Sequence, residues 1–325
     1  MRHFSLSASA ELRGHKADVR ALCSHGSHLV STGYDGLINL WDVGRPDAPV
    51  STLGDGSLGR MLCVCDVANR KLFASAGLDG VIRLWDAHSG ACAAKLEGHV
   101  SSVSSLLARA QTHELFSGGG DEHVLIWDLR SNQGMSSLRG HATSTRALAF
   151  GAGDEMLYTG GGDGQVRAWN CKRDTRASVQ TYNAVEVLRG PLFAVSALAH
   201  DGALSLLASA GMDNVLYCWD LATHSQFTAE GRIRMAAKAL RGHSGVVNAV
   251  LAWGERGLVS ASADGTLRVW DTSMADQDLA PFSTFRVSDG ALAHGVRALH
   301  ALDATRLCTG SSDGGIKVWQ STDKT

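Results

Sequence analysis

Short stretches of this chain alternate apolar and polar positions with a period of two, as in LINLWDV around Trp41 and VIRLWDA around Trp85. That period predicts β-strands with one buried face. The strands recur behind the same punctuation: Asp-Gly stands at 35–36, 79–80, 163–164, 264–265 and 313–314, a tight-turn signal because glycine tolerates positive φ. Aligned on tryptophan, the chain gives STGYDGLINLWD, SAGLDGVIRLWD, SGGGDEHVLIWD, TGGGDGQVRAWN, SAGMDNVLYCWD, SASADGTLRVWD and TGSSDGGIKVWQ. The tryptophans are Trp41, Trp85, Trp127, Trp169, Trp219, Trp270 and Trp319, each six residues beyond Asp35, Asp79, Asp121, Asp163, Asp213, Asp264 or Asp313. Each aspartate lies four beyond a hydroxyl: Ser31, Ser75, Ser117, Thr159, Ser209, Ser260 or Thr309. Seven coincidences at fixed offsets predict seven copies of one supersecondary unit.

A second signature lies upstream, Gly-His at 14–15, 98–99, 140–141 and 242–243. Together these marks resemble the WD40-repeat family over essentially the whole chain. The resemblance implies an all-β, seven-bladed propeller of four-stranded antiparallel blades in one domain, residues 1–325. It also implies a buried hydrogen-bonded set of His, Ser/Thr, Asp and Trp in each complete repeat. Complete sets are His15/Ser31/Asp35/Trp41, His99/Ser117/Asp121/Trp127, His141/Thr159/Asp163/Trp169 and His243/Ser260/Asp264/Trp270. Ser57, Pro191 and Leu292 stand where repeats two, five and seven would carry the histidine, with His294 displaced by two. Those blades are expected to be less rigid. Because the sequence ends six residues after Trp319, the segment His3–Ala8 is expected to supply the outer strand of blade seven and close the ring.

Composition narrows the chemistry. Hydrophobic residues make up 44% and charged residues 19%, a globular balance. A formal net charge of −2 gives no global pull toward nucleic acid or acidic membranes. No apolar run approaches the roughly 20 residues of a membrane-spanning helix. The opening MRHFSLSASAEL has no long apolar stretch, so no secretory signal is expected. Seven scattered cysteines without CxxC pairs fit reduced thiols of the cytoplasm or nucleus. Cys63 and Cys65 share a strand face, and they read as two small core residues rather than a metal clip. Ser, His and Asp recur together, but at the spacing of the structural set and four times over, so no catalytic triad is expected. SGGGDE and TGGGDG lack the GK[ST] or GxGxxG context of a phosphate loop. Neither cofactor nor metal is expected, and the chain is expected to be monomeric on its own.

Interaction surfaces carry the remaining information. In WD40 propellers, partners often meet the face formed by the residue before the turn aspartate and those flanking the start of the first strand. The corresponding residues here are Asp18, Arg20, Tyr34, Arg60, Leu78, Arg146, Met212, Asn248 and Arg297. On the opposite face, Trp-to-Trp spacing rises from 44, 42 and 42 to 50, 51 and 49, which predicts longer loops on three consecutive blades. Two of these are basic, with Lys172, Arg173 and Arg176 in one and Arg232, Arg234 and Lys238 in the other; the third, SMADQD, is acidic. Trp253 reads as an exposed aromatic on this face, or as half-buried under a loop. Arg130, in IWDLR, resembles the WDxR arginine of cullin–RING ligase substrate receptors, and an ion pair within its own blade is the competing reading. The expected function is a protein-interaction scaffold in a multiprotein assembly. The alternatives are a ligase substrate receptor and an RNA-processing component that uses the basic loops.

Overall fold

In the computed structural model, the described residues are 5–54, 56–67, 71–109, 112–172, 182–191, 193–202, 205–222, 226–228, 231–236, 238–253, 257–272, 281, 283–287 and 294–321. Among them the strands form seven sheets, and helix is confined to a single 3₁₀ turn, Ala152–Asp154. Blade one is typical. Its inner strand Val19–His25 pairs with His28–Gly33, then Ile38–Trp41, then Ser51–Leu53, all antiparallel. The period-two alternation thus becomes four neighbouring strands, with the Asp-Gly signal at the turn between the second and third. The chain is a seven-bladed β-propeller.

Closure pairs Leu6–Arg13 with Gly315–Ser321 in antiparallel register. The closing strand therefore runs five residues beyond the expected Ala8, while His3 and Phe4 lie outside the described residues. Leu6 and Leu12 drop into the seams on either side of blade seven, so the strand is anchored by burial as well as by its ladder.

The core sits between blades. Seven apolar clusters fill the seven junctions, and each contains the tryptophan of the later blade against its predecessor, as Trp41 packs on Leu12, Ile316 and Val318 of blade seven. This placement explains the glycine of Gly-His. A Cβ on Gly14 would stand 2.8 Å from the Trp41 ring, and on Gly98 or Gly140 3.0 Å from Trp127 or Trp169. Only a residue without a side chain lets the indole lie against that backbone.

Blade four departs from the plan. The extra residues of blade five do not all stay in a loop. They form a hairpin, Gln226–Thr228 with Gly231–Met235, and the second strand adds in parallel to the outer strand of blade four, Asn183–Arg189. Blade four thereby becomes a six-stranded sheet. The outer strand of blade five is correspondingly short, Lys238–Leu240.

Deleting residues 1–10 removes most of the closing strand and the Leu6 anchor. We expect the melting temperature to fall by about 5–10 °C, the shift that a loss of a few kcal/mol gives in a chain of this size. Differential scanning calorimetry checks it, and a wild-type melting temperature would show that closure does not depend on this strand.

Candidate functional site

A buried tryptophan N–H must find an acceptor. In blade one, Trp41 donates to the Ser31 hydroxyl at 2.8 Å, Ser31 meets His15 Nε2 at 2.7 Å, and His15 Nδ1 lies 2.9 and 3.0 Å from the two Asp35 oxygens. The donor order follows from chemistry. Indole only donates, so the serine oxygen accepts and sends its own proton to Nε2; the proton of neutral imidazole then sits on Nδ1, facing the carboxylate. Corresponding bonds of 2.7–3.1 Å link Trp127, Ser117, His99 and Asp121, then Trp169, Thr159, His141 and Asp163, then Trp270, Ser260, His243 and Asp264. Each aspartate also accepts the backbone N–H of the residue after the histidine and of the residue two beyond itself, as Asp35 does from Lys16 and Leu37. The relay therefore clamps the loop before the inner strand to the turn between the second and third strands. Burial pushes these carboxyls upward, but the histidine and backbone N–H donors outweigh it. Asp35, Asp121 and Asp264 end below the usual range and Asp163 is pulled down to about 2.

Where the histidine is absent, other side chains take the turn aspartate. Asp79 pairs with Arg83 at 2.7 Å, Asp213 bonds the Tyr217 hydroxyl, and Asp313 takes the Ser311 hydroxyl. Arg83 and Tyr217 each stand four residues after their aspartate, an offset readable from sequence once the histidine is known to be missing. Blades two and seven keep the tryptophan–hydroxyl bond, Trp85 to Ser75 at 2.9 Å and Trp319 to Thr309 at 3.0 Å. Blade five does not: Trp219 Nε1 and Ser209 Oγ are both buried without a partner among the described residues.

Above the relays, the residue before each turn aspartate donates its N–H to the carbonyl just ahead of the inner strand. Tyr34 to Asp18, Leu78 to Arg60, Gly120 to Ser102, Gly162 to Ser144, Met212 to Ala194, Ala263 to Val246 and Ser312 to Gly295 span 2.7–3.1 Å. This ring supports one face of the propeller, and on it the side chains differ by blade. Arg20 and Arg60 both stack on Tyr34, their guanidinium carbons 5.2 and 5.1 Å from the ring centroid. Asp18 and Arg297 pair across the closing seam at 3.1 Å, and Asn248 donates to the Val296 carbonyl at 2.7 Å. Arg146 is exposed beside Ser144. Leu78 (51% exposed), Met212 (50%), Phe193 (61%) and Val100 (89%) stand out from the same face; the last two were missed because neither occupies the offsets used to map it.

The opposite face is less free than its sequence suggests. Arg234 of the hairpin is half-buried, pairs with Glu186 at 3.2 Å and also donates to the Asp220 carbonyl. Lys238 donates to the Thr272 carbonyl at 2.9 Å, and exposed Lys172 lies 3.4 Å from Glu155. Arg232 is exposed. Arg173, Arg176 and the SMADQD segment lie outside the described residues. Arg130 grips Asp128 through Nε at 3.0 Å and Nη2 at 2.9 Å, holding that carboxyl below its usual range. Trp253 corrects the reading of an exposed aromatic. It is 3% exposed, packs in the seam between blades six and seven, and donates to the Asp303 carbonyl at 2.8 Å. Sequence reasoning also missed Arg109, which is buried against Phe116 and Phe150, paired with Glu114 at 2.6 Å and bonded to the carbonyls of Asp154 and Cys171. Burial lifts the thiols of Cys23 and Cys63 well above the ordinary range, and those of Cys65, Cys171, Cys218 and Cys308 to about 12. At neutral pH these six are unreactive thiols.

Seven sheets around a ring, each seam holding a buried tryptophan and four of those tryptophans relayed through a hydroxyl and a histidine to a turn aspartate, define a repeat propeller whose variable chemistry lies on its loops. The chain belongs to the WD40 family: the model of the WD domain, G-beta repeat, matches at residues 7–42, 48–86, 90–128, 133–170, 183–220, 236–271 and 287–320. No curated protein matches the chain.

Two outcomes test the relay. Ser117→Ala orphans the Trp127 N–H and one nitrogen of His99, and should cost about 1–3 kcal/mol in denaturant unfolding. The depressed aspartates contribute stability above their unfolded value of 3.8 and lose it as pH falls toward their folded values. The melting temperature should therefore fall steeply from about pH 4 to about pH 2, and Asp163→Asn should flatten that fall. A third outcome concerns blade five. Among the seven repeat tryptophans, the Trp219 indole N–H should exchange fastest with deuterium, as NMR would read it.

Proposed function

We propose that this propeller is a non-catalytic scaffold subunit of a multiprotein assembly, binding partner proteins through the face that carries the relay turns. The observation that carries this reading is the set of exposed apolar side chains on that face, Leu78 and Val100 on blades two and three and Phe193 and Met212 on blade five, set on a backbone held by the hydrogen-bond ring. Apolar side chains kept in water on a rigid support favour protein contact, since a preorganised surface loses little entropy on binding. Aromatic and arginine side chains such as Tyr34, Arg20 and Arg60 are the types enriched at binding hot spots. Non-catalysis is supported by the hydroxyls of the recurring Ser-His-Asp sets. Ser31, Ser117, Thr159 and Ser260 are fully buried and committed to an indole and an imidazole, out of reach of a substrate.

Nothing favours the two alternatives to the same degree. Arg130 is engaged by Asp128, and the basic character expected of the hairpin is partly neutralised by Glu186. Affinity purification of the tagged chain discriminates among the three. With Leu78, Phe193 and Met212 all changed to serine, co-purifying proteins should be lost while the melting temperature holds within about 2 °C. Arg130→Ala should retain them. Loss of partners on Arg130→Ala alone would favour the ligase reading, and crosslinked RNA on the wild-type chain would favour the RNA reading.

A further inference from the structure

Several arginines of the described residues answer to a nearby acid. Arg83 pairs with Asp79, Arg109 with Glu114, Arg130 with Asp128, Arg234 with Glu186, Arg297 with Asp18 and Arg306 with Asp303. Arg20 and Arg60 do not. Among the described residues neither has a carboxylate partner, and both rest on the ring of Tyr34. The Nε of Arg20 is buried and without a hydrogen-bond partner. Stacking positions a guanidinium without consuming its N–H donors. Two such groups about 5 Å from one centroid lie no more than about 10 Å from each other, two like charges with no carboxylate bonded to either among the described residues.

We infer that the Arg20–Tyr34–Arg60 stack is the docking point for an extended acidic segment of a partner protein, with carboxylates on the two guanidiniums and an apolar side chain on Leu78. The inference rests on the scaffold reading above and gives it a partner chemistry. Leu78 is half-exposed, and its N–H is bonded to the carbonyl of Arg60 itself, so the apolar and cationic elements are contiguous. The spacing suits an extended peptide. Residues i and i+2 on one face of a strand are about 6.7 Å apart, within the reach of two guanidiniums separated by up to about 10 Å. Charge also argues against a continuous polyanion. Asp18, Asp35 and Asp79 lie around the same loops and would repel a phosphate backbone, whereas a short acidic segment can avoid them.

The test uses the full chain and a display library of random twelve-residue peptides. Selection at about 50 mM salt should enrich peptides with acidic residues two apart beside Leu, Ile, Met or Phe. An enriched peptide, made synthetically, should bind Arg60→Glu at least about tenfold more weakly, and Arg20→Gln or Tyr34→Leu about threefold or more. Arg146→Glu, which touches the same face away from the stack, should change affinity less than about twofold, and raising salt to about 500 mM should weaken binding. Melting temperatures confirm folding of each variant; Arg60 is exposed, so its substitution keeps the test valid if Arg20→Gln unfolds. Enrichment of non-acidic peptides, no enrichment, or equal binding by Arg60→Glu overturns the inference. So does tighter binding of a twelve-nucleotide single-stranded RNA with the same Arg60 dependence. Partners that still co-purify with Arg60→Glu after such a failure leave the scaffold reading standing, whereas a wild-type chain that captures nothing counts against that reading instead.

Discussion

The bond between a seam tryptophan and a strand hydroxyl is the constraint on which the rest of this propeller depends. The indole must be buried to fill the junction with the preceding blade, as Trp41 does against Ile316 and Val318, and a buried N–H without an acceptor costs about 1–3 kcal/mol. Ser31 supplies the acceptor, but its own proton then needs a home, which His15 provides; His15 in turn fixes Asp35. Each step is forced by the donor and acceptor inventory of the previous one. The relay ends in the loops, so seam packing and loop geometry are one problem. A propeller held together this way has its turn face already ordered.

The three incomplete repeats show how far the constraint bends. Losing histidine leaves the turn aspartate without its partner, and Arg83, Tyr217 or Ser311 fills that role. Only in blade five does the loss reach the tryptophan, and that blade is also the one whose chain departs to join its neighbour. Its inserted hairpin extends the sheet of blade four in parallel and is fastened there by Arg234, which joins Glu186 of blade four to the Asp220 carbonyl of blade five. The strap couples two blades on the side where the internal relay is weakest. An edge strand that would otherwise expose unpaired backbone is covered as well.

Much of this was legible because it depends on residue type at fixed offset. Trp, Asp and Ser/Thr at constant spacing specify a strand, a turn and a bond between them, and Asp-Gly marks a turn wherever it falls. What was not legible depends on partners in other blades. The hairpin's destination is set by Asn183–Arg189, more than forty residues upstream, and Arg232 and Arg234 in sequence look the same whether they line a loop or a strand. Trp253 follows the same logic: the carbonyl that receives its N–H belongs to Asp303, fifty residues on in the next blade. The closing strand was located but drawn too short: it runs on through Glu11, Leu12 and Arg13 to the edge of the Gly-His mark at 14–15, where Leu12 is buried in the next seam, instead of stopping at Ala8. On the turn face, offsets found Tyr34 and its two arginines as separate candidates, while their stacking into one group is a tertiary fact.

That stacking gives the turn face its polarity. Blades one and two present two cations on an aromatic ring beside Leu78, blade five presents Phe193 and Met212, and blades three and four place Gly120 and Gly162 where bulkier residues stand elsewhere. The ring scaffold is nearly sevenfold in its backbone hydrogen bonds, so these differences are not by-products of irregular folding. They are carried by single side chains on equivalent, well-supported positions. In a protein with net charge near zero, selectivity cannot come from a global field; it has to come from such local contrasts. A partner that meets the cationic patch gains Coulomb attraction only if it is acidic there, and it gains area at blade five only if it is apolar there. On the proposed reading, requiring both at once over one rigid face would restrict the set of partners more sharply than either patch could alone.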